Sequence, residues 1–410
     1  MFRSIFLPLG ACLALSTVSA QAQQGGGAAP SGNAFNPKIS LILQGIYADY
    51  SSVEEPDVGG VVLGPETEFA APGLSLGESE LVIESNVDTL FHAWATIALE
   101  NEGGETVVAV EEAYVNTLTL PAGLAVKFGR FKSEIGYQNH IHAHAWEFVD
   151  EPLVYRALLA TSLQDDGLQL RWIAPTDLFL ELGAEALRGQ AFPGGGEPRD
   201  GVNGYTGFMH LGGDVGIGGS WRLGLSHLKA DADNRATGGD VTTLFTGDSD
   251  LSIVDLVFKW AEDGNPAKHN VVFNAEYFHR RESGDLVYDP DTTDPVNTGP
   301  TPSAYGGKQD GYYAQLIYQF IPRWRAGARY DWMTADNAVS NPAAGTSLAT
   351  LADNSYDPRR ASVMLDFSNS EFSRLRVQYN RDESRPGGES DNQIFLQYIM
   401  SLGAHAAHQF

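Results

Sequence analysis

The connections between successive strand-like segments alternate between long and short along almost the whole chain. From about residue 36, the sequence divides into short runs of alternating apolar and polar residues separated by turn residues, which is typical of β-strands. The predicted strands are 38–50, 74–87, 89–100, 106–119, 122–132, 167–174, 177–189, 204–213, 217–230, 251–261, 269–282, 310–321, 323–334, 358–368, 372–382 and 392–403.

Connection length depends on position in this series. Every second connection is tight or of medium length, and seven of the other eight are long, with the longest at 133–166, 283–309 and 335–357. Outer-membrane barrels have short periplasmic turns and long external loops, whereas a β-sandwich or a propeller has no reason to sort its loops in this way. The sequence therefore predicts an all-β fold, a transmembrane antiparallel up-and-down β-barrel of about sixteen strands.

Several predicted strands have one apolar and one charged face. In 323–332, Trp324 and Tyr330 share a face, while Arg325 and Arg329 share the other. This arrangement fits lipid outside a barrel and water inside it, and the aromatic residues near strand ends fit interfacial girdles. The alternative is a soluble β-sandwich with one solvated face.

Composition excludes several classes of protein. The chain of 410 residues has 26 Lys and Arg against 52 Asp and Glu, a net charge of −26, which argues against a nucleic-acid partner. Its single cysteine, Cys12, lies in a segment that we expect to be removed, so neither disulfides nor a cysteine-ligated metal are expected.

The N-terminal segment reads as a targeting sequence. Residues 1–22 have a positive start, a short apolar core and an A-x-A cleavage pattern, which predicts a signal peptide; a lipoprotein signal ending at Cys12 is the alternative. Residues 23–36 are predicted to be a flexible leader, too short for a plug domain, and 37–410 to be the barrel. We therefore expect export to a bacterial outer membrane, in contact with its lipid.

The C-terminal run alternates from Ile394 to an aromatic last residue, Phe410. A terminal aromatic residue on an amphipathic last strand resembles the assembly signal of bacterial outer-membrane proteins. This resemblance implies that the barrel-assembly machinery is a partner that binds through Phe410.

The segment 122–136, AGLAVKFGRFKSEIG, resembles a stretch of the phosphate-selective porin (O/P-type) superfamily of outer-membrane barrels. The residues that carry the resemblance are Lys127, Phe128, Gly129, Arg130, Phe131, Lys132 and Gly136. The resemblance implies a sixteen-stranded barrel, commonly a homotrimer, whose third external loop folds into the lumen. Here that loop is 133–166, which is long and unusually apolar.

Phosphate channels of that superfamily concentrate Lys and Arg along the lumen, whereas this chain is strongly acidic. We therefore do not expect phosphate selectivity. The candidate pore and constriction residues are Lys127, Arg130, Lys132, Arg323, Arg325, Arg329, Arg374 and Arg376. The arginines form either a local basic wall or a ladder with Asp331, Asp366 and Glu383, and the sequence leaves both alternatives open.

Three histidines lie at alternate positions in the predicted constriction loop: His140, His142 and His144. If the segment is extended, their side chains project to one side, and neighbouring members can chelate Zn²⁺, Ni²⁺ or Cu²⁺. The alternative is a set of solvated or hydrogen-bonded loop histidines. We expect that no cofactor is required, and that zinc is the metal to test first at this loop.

No enzymatic site is predicted. The G-x-S-x-G match at 73–77 precedes a strand, whereas a nucleophile elbow needs a strand-to-helix turn. Ser226 and His227 are adjacent and would point to opposite faces of a strand, which prevents direct pairing.

We therefore expect a porin-like channel for passive diffusion of small polar or ionic solutes. The alternative is an uptake or binding barrel for a divalent metal such as zinc, with a role like that of a TonB-dependent receptor but without the plug domain.

Overall fold

A computed structural model describes residues 37–52, 57–64, 67, 69–102, 105–237, 243–288, 301–342 and 347–403. The predicted signal peptide, the leader and Phe410 lie outside these residues. Among the residues described, no helix is long and apolar enough to cross a membrane.

The structure is one closed antiparallel β-barrel of sixteen strands, as the sequence predicts, because β1 pairs with both β2 and β16. The strands are β1 (Lys38–Tyr50), β2 (Gly73–Leu76 and Ser79–Asn86), β3 (Phe91–Glu102), β4 (Glu105–Thr117), β5 (Leu124–Lys132), β6 (Gln164–Ile173), β7 (Phe179–Leu187), β8 (Gly204–Val215), β9 (Gly219–Ala236), β10 (Thr243–Ala261), β11 (Asn270–Tyr288), β12 (Thr301–Ile321), β13 (Trp324–Val339), β14 (Arg359–Ser370), β15 (Ser373–Glu383) and β16 (Asp391–Gly403).

Short elements lie in the connections. Within the described ranges, the two α-helices are α1 (Leu153–Leu159) and α2 (Ser347–Leu351), and 3₁₀ turns occur at Pro121–Gly123, Ala143–Ala145, Glu262–Gly264 and Pro386–Gly388. Gly195–Gly196 forms a short parallel pair with β9. All of these elements lie between strands, so they line or cap the barrel without interrupting its wall.

The two faces of the wall follow the predicted alternation. On β15, Leu375, Val377 and Tyr379 point outward and are exposed, whereas Arg374 and Arg376 point inward and are buried. The same pattern recurs on β10, β13, β14 and β16. The barrel therefore has an apolar outer surface and a polar inner one.

Two of the irregularities in the wall lie in β2 and β4. In β2, residues 77–79 lie opposite only Leu43 and Gln44 of β1. In β4, Glu111 is an extra residue, because Val110 pairs with Ile97 and Glu112 with Thr96. Such β-bulges redirect side chains. They explain why the acidic residues of these two strands do not follow simple alternation.

The pairing of β4 with β5 is short. It covers only Ala113–Asn116 of β4, although β4 extends to Glu105. Beyond this pairing, the backbone N–H of Lys132 donates to the Glu112 carboxylate at 3.0 Å. A side chain thus continues the wall where the backbone ladder ends, and we call this place the β4–β5 seam.

The connection between β5 and β6, residues 133–163, folds into the barrel and is called the inner loop. Every residue of α1 is buried, and α1 packs against inward-facing side chains of the far wall such as Phe278, Tyr313 and Met333. Burying apolar surface stabilises by about 25 cal/mol per Å². The apolar character of this loop therefore holds it inside the barrel.

Candidate functional site

Several contacts anchor the inner loop to the barrel wall, and the first anchor is Glu276 on β11. Its carboxylate accepts the backbone N–H groups of Tyr137 and Gln138 at 2.8 and 3.0 Å. It also accepts the hydroxyls of Tyr155 and Tyr313 at 2.9 and 2.6 Å. Burial and the neighbouring carboxylate raise the pKa of Tyr155 well above its usual range, so its hydroxyl stays a donor.

Gly136 lets the loop approach this anchor. Its φ is +67°, and a Cβ atom there would lie 2.4 Å from Glu276 Oε2 and 2.7 Å from the Tyr155 hydroxyl. Only glycine fits both the backbone conformation and the contact. This is the glycine that ends the porin-like segment in the sequence.

The second anchor is Asp150, which meets the arginines of β13 and β14. Its carboxylate lies 2.7 Å from Arg329 Nη2 and 2.9 Å from Arg360 Nη1, and it accepts the Asn380 amide at 2.8 Å. Burial alone would raise the pKa of Asp150, but Arg360 and Arg329 outweigh burial and hold that pKa well below its usual range.

The other lumenal arginines are paired as well. Arg325 lies 2.9 Å from Glu147 of the inner loop and 2.7 Å from Asp366. Arg376 donates to the Trp146 carbonyl at 2.9 Å, and Arg374 points to the same oxygen at 3.4 Å. These arginines thus form a ladder of ion pairs with carboxylates of the loop and the wall. Such a ladder is one of the two alternatives predicted from the sequence.

The observed arginine–carboxylate ladder contains partly different carboxylates from those that the sequence predicts. Asp331 and Asp366 face the lumen and pair with Arg329 and Arg325. Glu383, by contrast, pairs with the exposed Arg359 and Arg381. The lumenal ladder therefore includes the loop carboxylates in place of Glu383.

The third anchor is a set of carboxylates and basic groups on β2, β4, β5 and the inner loop, which we call the Glu–His cluster. Its members are Glu78, Glu80, Glu111, Glu112, Lys132, His142 and His144. The two β-bulges bring the four glutamates together. Both Glu111 and Glu112 are buried on the inner side although they are consecutive in β4.

His142 lies at the centre of the Glu–His cluster. Its Nδ1 is 3.1 Å from Glu111 Oε2 and 3.2 Å from Glu80 Oε2. Its Nε2 is 2.9 Å from Glu112 Oε2. Burial opposes a charge on this imidazole, but Glu111 and Glu80 outweigh burial and raise the pKa of His142 well above its usual range.

The second carboxylate oxygens of Glu80 and Glu111 each have a basic partner of their own. His144 Nδ1 lies 2.6 Å from Glu80 Oε1, and Lys132 Nζ lies 2.5 Å from Glu111 Oε1. Each of these glutamates therefore has one oxygen fixed from outside and the other directed at His142.

His140 lies apart from the other two histidines. Its Nδ1 is 3.8 Å from Glu134 Oε2, and its ring packs edge-on against Tyr137. Burial lowers the pKa of His140 to about 4, and Glu134 opposes that shift. The structure thus brings His142 and His144 together on Glu80 and places His140 elsewhere.

The remaining predicted pore residues occupy three different places. Lys127 faces the lumen over the rings of Tyr114 and Phe131. Arg130 is on the opposite side of β5, where it pairs with Asp166 at 2.9 Å, is partly exposed and borders a cavity beside the inner loop. Arg323 lies in the tight turn between β12 and β13 with a φ of +74° and is exposed.

Ser226 and His227 point to opposite faces of β9. The Ser226 hydroxyl accepts the N–H of Gly136 inside the barrel, and His227 meets Ser252 on the outer face. They do not pair directly, as the alternation of the strand predicts.

A cavity of about 800 Å³ lies between the inner loop and β1–β5, on the side of the long connections. Glu78, Glu111 and Lys132 of the Glu–His cluster line it, together with Trp146 and Phe192. The cluster is therefore accessible from this space.

Sequence reasoning did not find the four glutamates. Two local signals were present: Glu78 and Glu80 are two residues apart, and Glu111–Glu112 is an acidic pair inside an otherwise alternating strand. Consecutive charges in a strand indicate a bulge or a solvated edge. Their meeting with His142 depends on the register of the barrel.

The fold is that of a porin-type β-barrel. OmpT of Vibrio cholerae, in its trimer form, has a TM-score of 0.53 and 11% identity and covers 90% of this chain and 100% of its own. The outer membrane channel DcaP of Acinetobacter baumannii has 0.53 and 13%, over 90% and 96%. An anion-selective porin from Comamonas acidovorans has 0.50 and 10%, over 90% and 99%.

The chain belongs to the same family as an uncharacterized protein of Aquifex aeolicus (strain VF5). The two are 31% identical over 414 residues, which cover 93% of this chain and 81% of the relative. No protein-family model matches the chain.

Proposed function

We propose that this protein is an outer-membrane channel for passive diffusion of small polar or ionic solutes. The observation that carries the proposal is the closed barrel with an apolar outer face, a charged inner face and a loop anchored across its lumen. A channel of this kind selects solutes by the charge and width of the space beside the loop.

Charged side chains of both signs beside the inner loop support the proposal. Lys127 and Arg171 of the wall each lie 3.8 Å from Glu134 of the loop. Arg222 and His140 both pack against the ring of Tyr137 in the same loop. Solutes that pass the loop would meet groups of both signs.

Phosphate is not proposed as the solute. The arginines of β13–β15 already bind carboxylates or carbonyl oxygens of the wall and loop. An incoming phosphate would have to displace these partners. The resemblance to O/P-type porins thus extends to the architecture, and selectivity follows from this chain's own charges.

Location and assembly belong to the same proposal. We expect export through residues 1–22, contact with outer-membrane lipid through the apolar outer face, and assembly of the barrel through Phe410. A homotrimer is the proposed assembly, supported by the trimer form of the structurally similar Vibrio cholerae OmpT. The acidic chain makes a nucleic-acid partner inconsistent with this role.

The test is single-channel recording of the mature protein in a planar bilayer under a salt gradient. Discrete, stable conductance steps with a non-zero reversal potential are expected, and heat-unfolded protein serves as the control. Folded, inserted protein that conducts no ions would contradict the proposal.

A further inference from the structure

We infer that His142, Glu78, Glu80 and Glu111 bind a divalent transition-metal cation inside the barrel. Each offers a ligand atom, and these four atoms lie within 4.8 Å of one another. The site joins the inner loop to β2 and β4. It goes beyond the proposed diffusion channel, since binding at this place does not depend on conductance.

The spacing of the donor atoms suits tetrahedral coordination. His142 Nδ1 lies 3.1 Å from Glu111 Oε2 and 3.2 Å from Glu80 Oε2. Bonds of about 2.0–2.1 Å to Zn²⁺ place neighbouring tetrahedral ligands about 3.3 Å apart. An ion could therefore replace the proton on Nδ1 with little movement of the two carboxylates.

Outer partners already orient three of the four ligands. Glu112 Oε2 lies 2.9 Å from Nε2 of His142, as in the carboxylate–histidine–metal arrangement that fixes the tautomer of a ligand. His144 holds the far oxygen of Glu80, and Lys132 holds the far oxygen of Glu111. The arrangement leaves one oxygen of each glutamate, and Nδ1, pointing to a common centre.

Two buried carboxylate oxygens in the cluster are suited to bind a cation. Among the described residues, Glu78 Oε1 and Glu80 Oε2 are buried and accept no hydrogen bond, although His142 Nδ1 lies near the latter. Glu80 is only 1% exposed. Buried charges require partners.

The balance of charge agrees with this reading. The four glutamates of the Glu–His cluster face one lysine and two histidines. With four ionised carboxylates against one ammonium and two imidazolium groups, one negative charge is left without a partner. A divalent cation would compensate this excess.

One imidazole with three carboxylates favours ions such as Zn²⁺, Mn²⁺ or Fe²⁺ over Ca²⁺, which takes six to eight oxygen ligands. Glu78 and Glu111 line the cavity beside the inner loop, so an ion can reach the site from the side of the long connections. The sequence grouped His140 and His144 with His142. In the structure, His144 holds a ligand from outside the site, and His140 lies away from the site.

The test uses the mature full-length protein in detergent, stripped with a chelator. Titration calorimetry with Zn²⁺ is expected to give one saturable site per chain, and Co²⁺ is expected to give the strong visible absorption of a tetrahedral complex. Glu112→Gln, which removes an outer partner, should weaken Zn²⁺ binding by about 10- to 100-fold.

Glu78→Gln is the most informative variant, because the oxygen it alters accepts no hydrogen bond in the structure and the loop anchors remain. It should weaken Zn²⁺ binding at least as much as Glu112→Gln and change the Co²⁺ spectrum, with circular dichroism unchanged. His140→Ala, in the same loop, is the matched control and should bind Zn²⁺ as the wild type does. Absence of a saturable site, or equal weakening by His140→Ala, would overturn the inference.

Discussion

The hydroxyl of Tyr155 lies 2.9 and 3.0 Å from the two carboxylate oxygens of Glu276, which bonds α1 to strand β11 in the interior of the barrel. The same carboxylate accepts two backbone N–H groups from the start of the inner loop. One wall residue thus fixes two loop segments that are almost twenty residues apart in sequence.

Replacing Glu276 with glutamine should loosen the inner loop. The amide group cannot accept from all four donors, so buried N–H or O–H groups lose their partner. We expect a loss of about 3 kcal/mol in the free energy of unfolding, measured with urea, and noisier single-channel currents. Tyr155→Phe removes one donor only and should cost about 1.5 kcal/mol. If neither variant lowers the free energy of unfolding, Glu276 does not anchor the loop.

Asp150→Asn should destabilise the protein in a pH-dependent way. It leaves the buried Arg329 and Arg360 without their loop partner, and breaking a buried pair costs about 3–5 kcal/mol. Because the pKa of Asp150 is lowered in the folded state, its contribution is complete above about pH 4 and is lost as the pH falls further.

Thermal unfolding of wild type and Asp150→Asn between pH 2.5 and 7 measures this effect. The difference between the two should be constant at neutral pH and shrink in acid. Asp177→Asn alters an exposed carboxylate in the turn between β6 and β7 and should shift stability by less than about 0.5 kcal/mol. A difference that grows in acid would contradict the assignment.

Charge changes at Lys127 and Glu134 should shift ion selectivity in opposite directions. Lys127→Gln removes a lumenal cation and should move the reversal potential towards cation selectivity, whereas Glu134→Gln should move it the other way. Arg381→Gln removes a positive charge from an exposed position on the outer face of β15 and is the control. An equal shift from Arg381→Gln would show that the ions do not pass beside Lys127.

Val377→Arg should reveal whether lipid surrounds the barrel. Val377 lies on the outer face of β15 and is 48% exposed. On a lipid-facing surface near the midplane, arginine costs about 2–4 kcal/mol, whereas on a water-facing surface the cost is near zero. Urea unfolding from lipid bilayers gives the value, with Val377→Leu as the apolar control. Equal stability of the two variants would contradict a membrane-spanning barrel.

The positions of most strands could be predicted because the wall imposes a two-residue period wherever one face is apolar. β1 begins and ends where the sequence places it, at Lys38 and Tyr50. The prediction is too short for β10 and β12, which begin at Thr243 and Thr301 in place of 251 and 310. These extensions are rich in Asp, Ser and Gly, so they read as loops.

The structure explains why the extensions are nevertheless strands. Phe245 and Tyr305 are buried inside the upper barrel, where they pack with Val62 and with Leu348 of α2. The contacts that stabilise these segments come from distant connections, which local periodicity does not reveal. Within the apolar connection 133–166, residues Leu153–Leu159 form α1.

The candidate site could be predicted only in part. The loop and its histidines were evident from composition, but an extended segment was assumed. The 3₁₀ turn at Ala143–Ala145 and the turns before it direct His140 away from His142. The glutamates that meet His142 come from strands that lie some thirty to sixty residues earlier, and their convergence depends on two bulges.

The β4–β5 seam has a consequence for how this barrel forms. Glu112 receives the backbone N–H of Lys132 with one oxygen and lies 2.9 Å from the His142 ring with the other. The same carboxylate therefore completes the barrel wall and binds the inner loop. Insertion of the inner loop and completion of the wall are then coupled. A folding intermediate whose inner loop is still outside the barrel would have an incompletely paired β4–β5 seam.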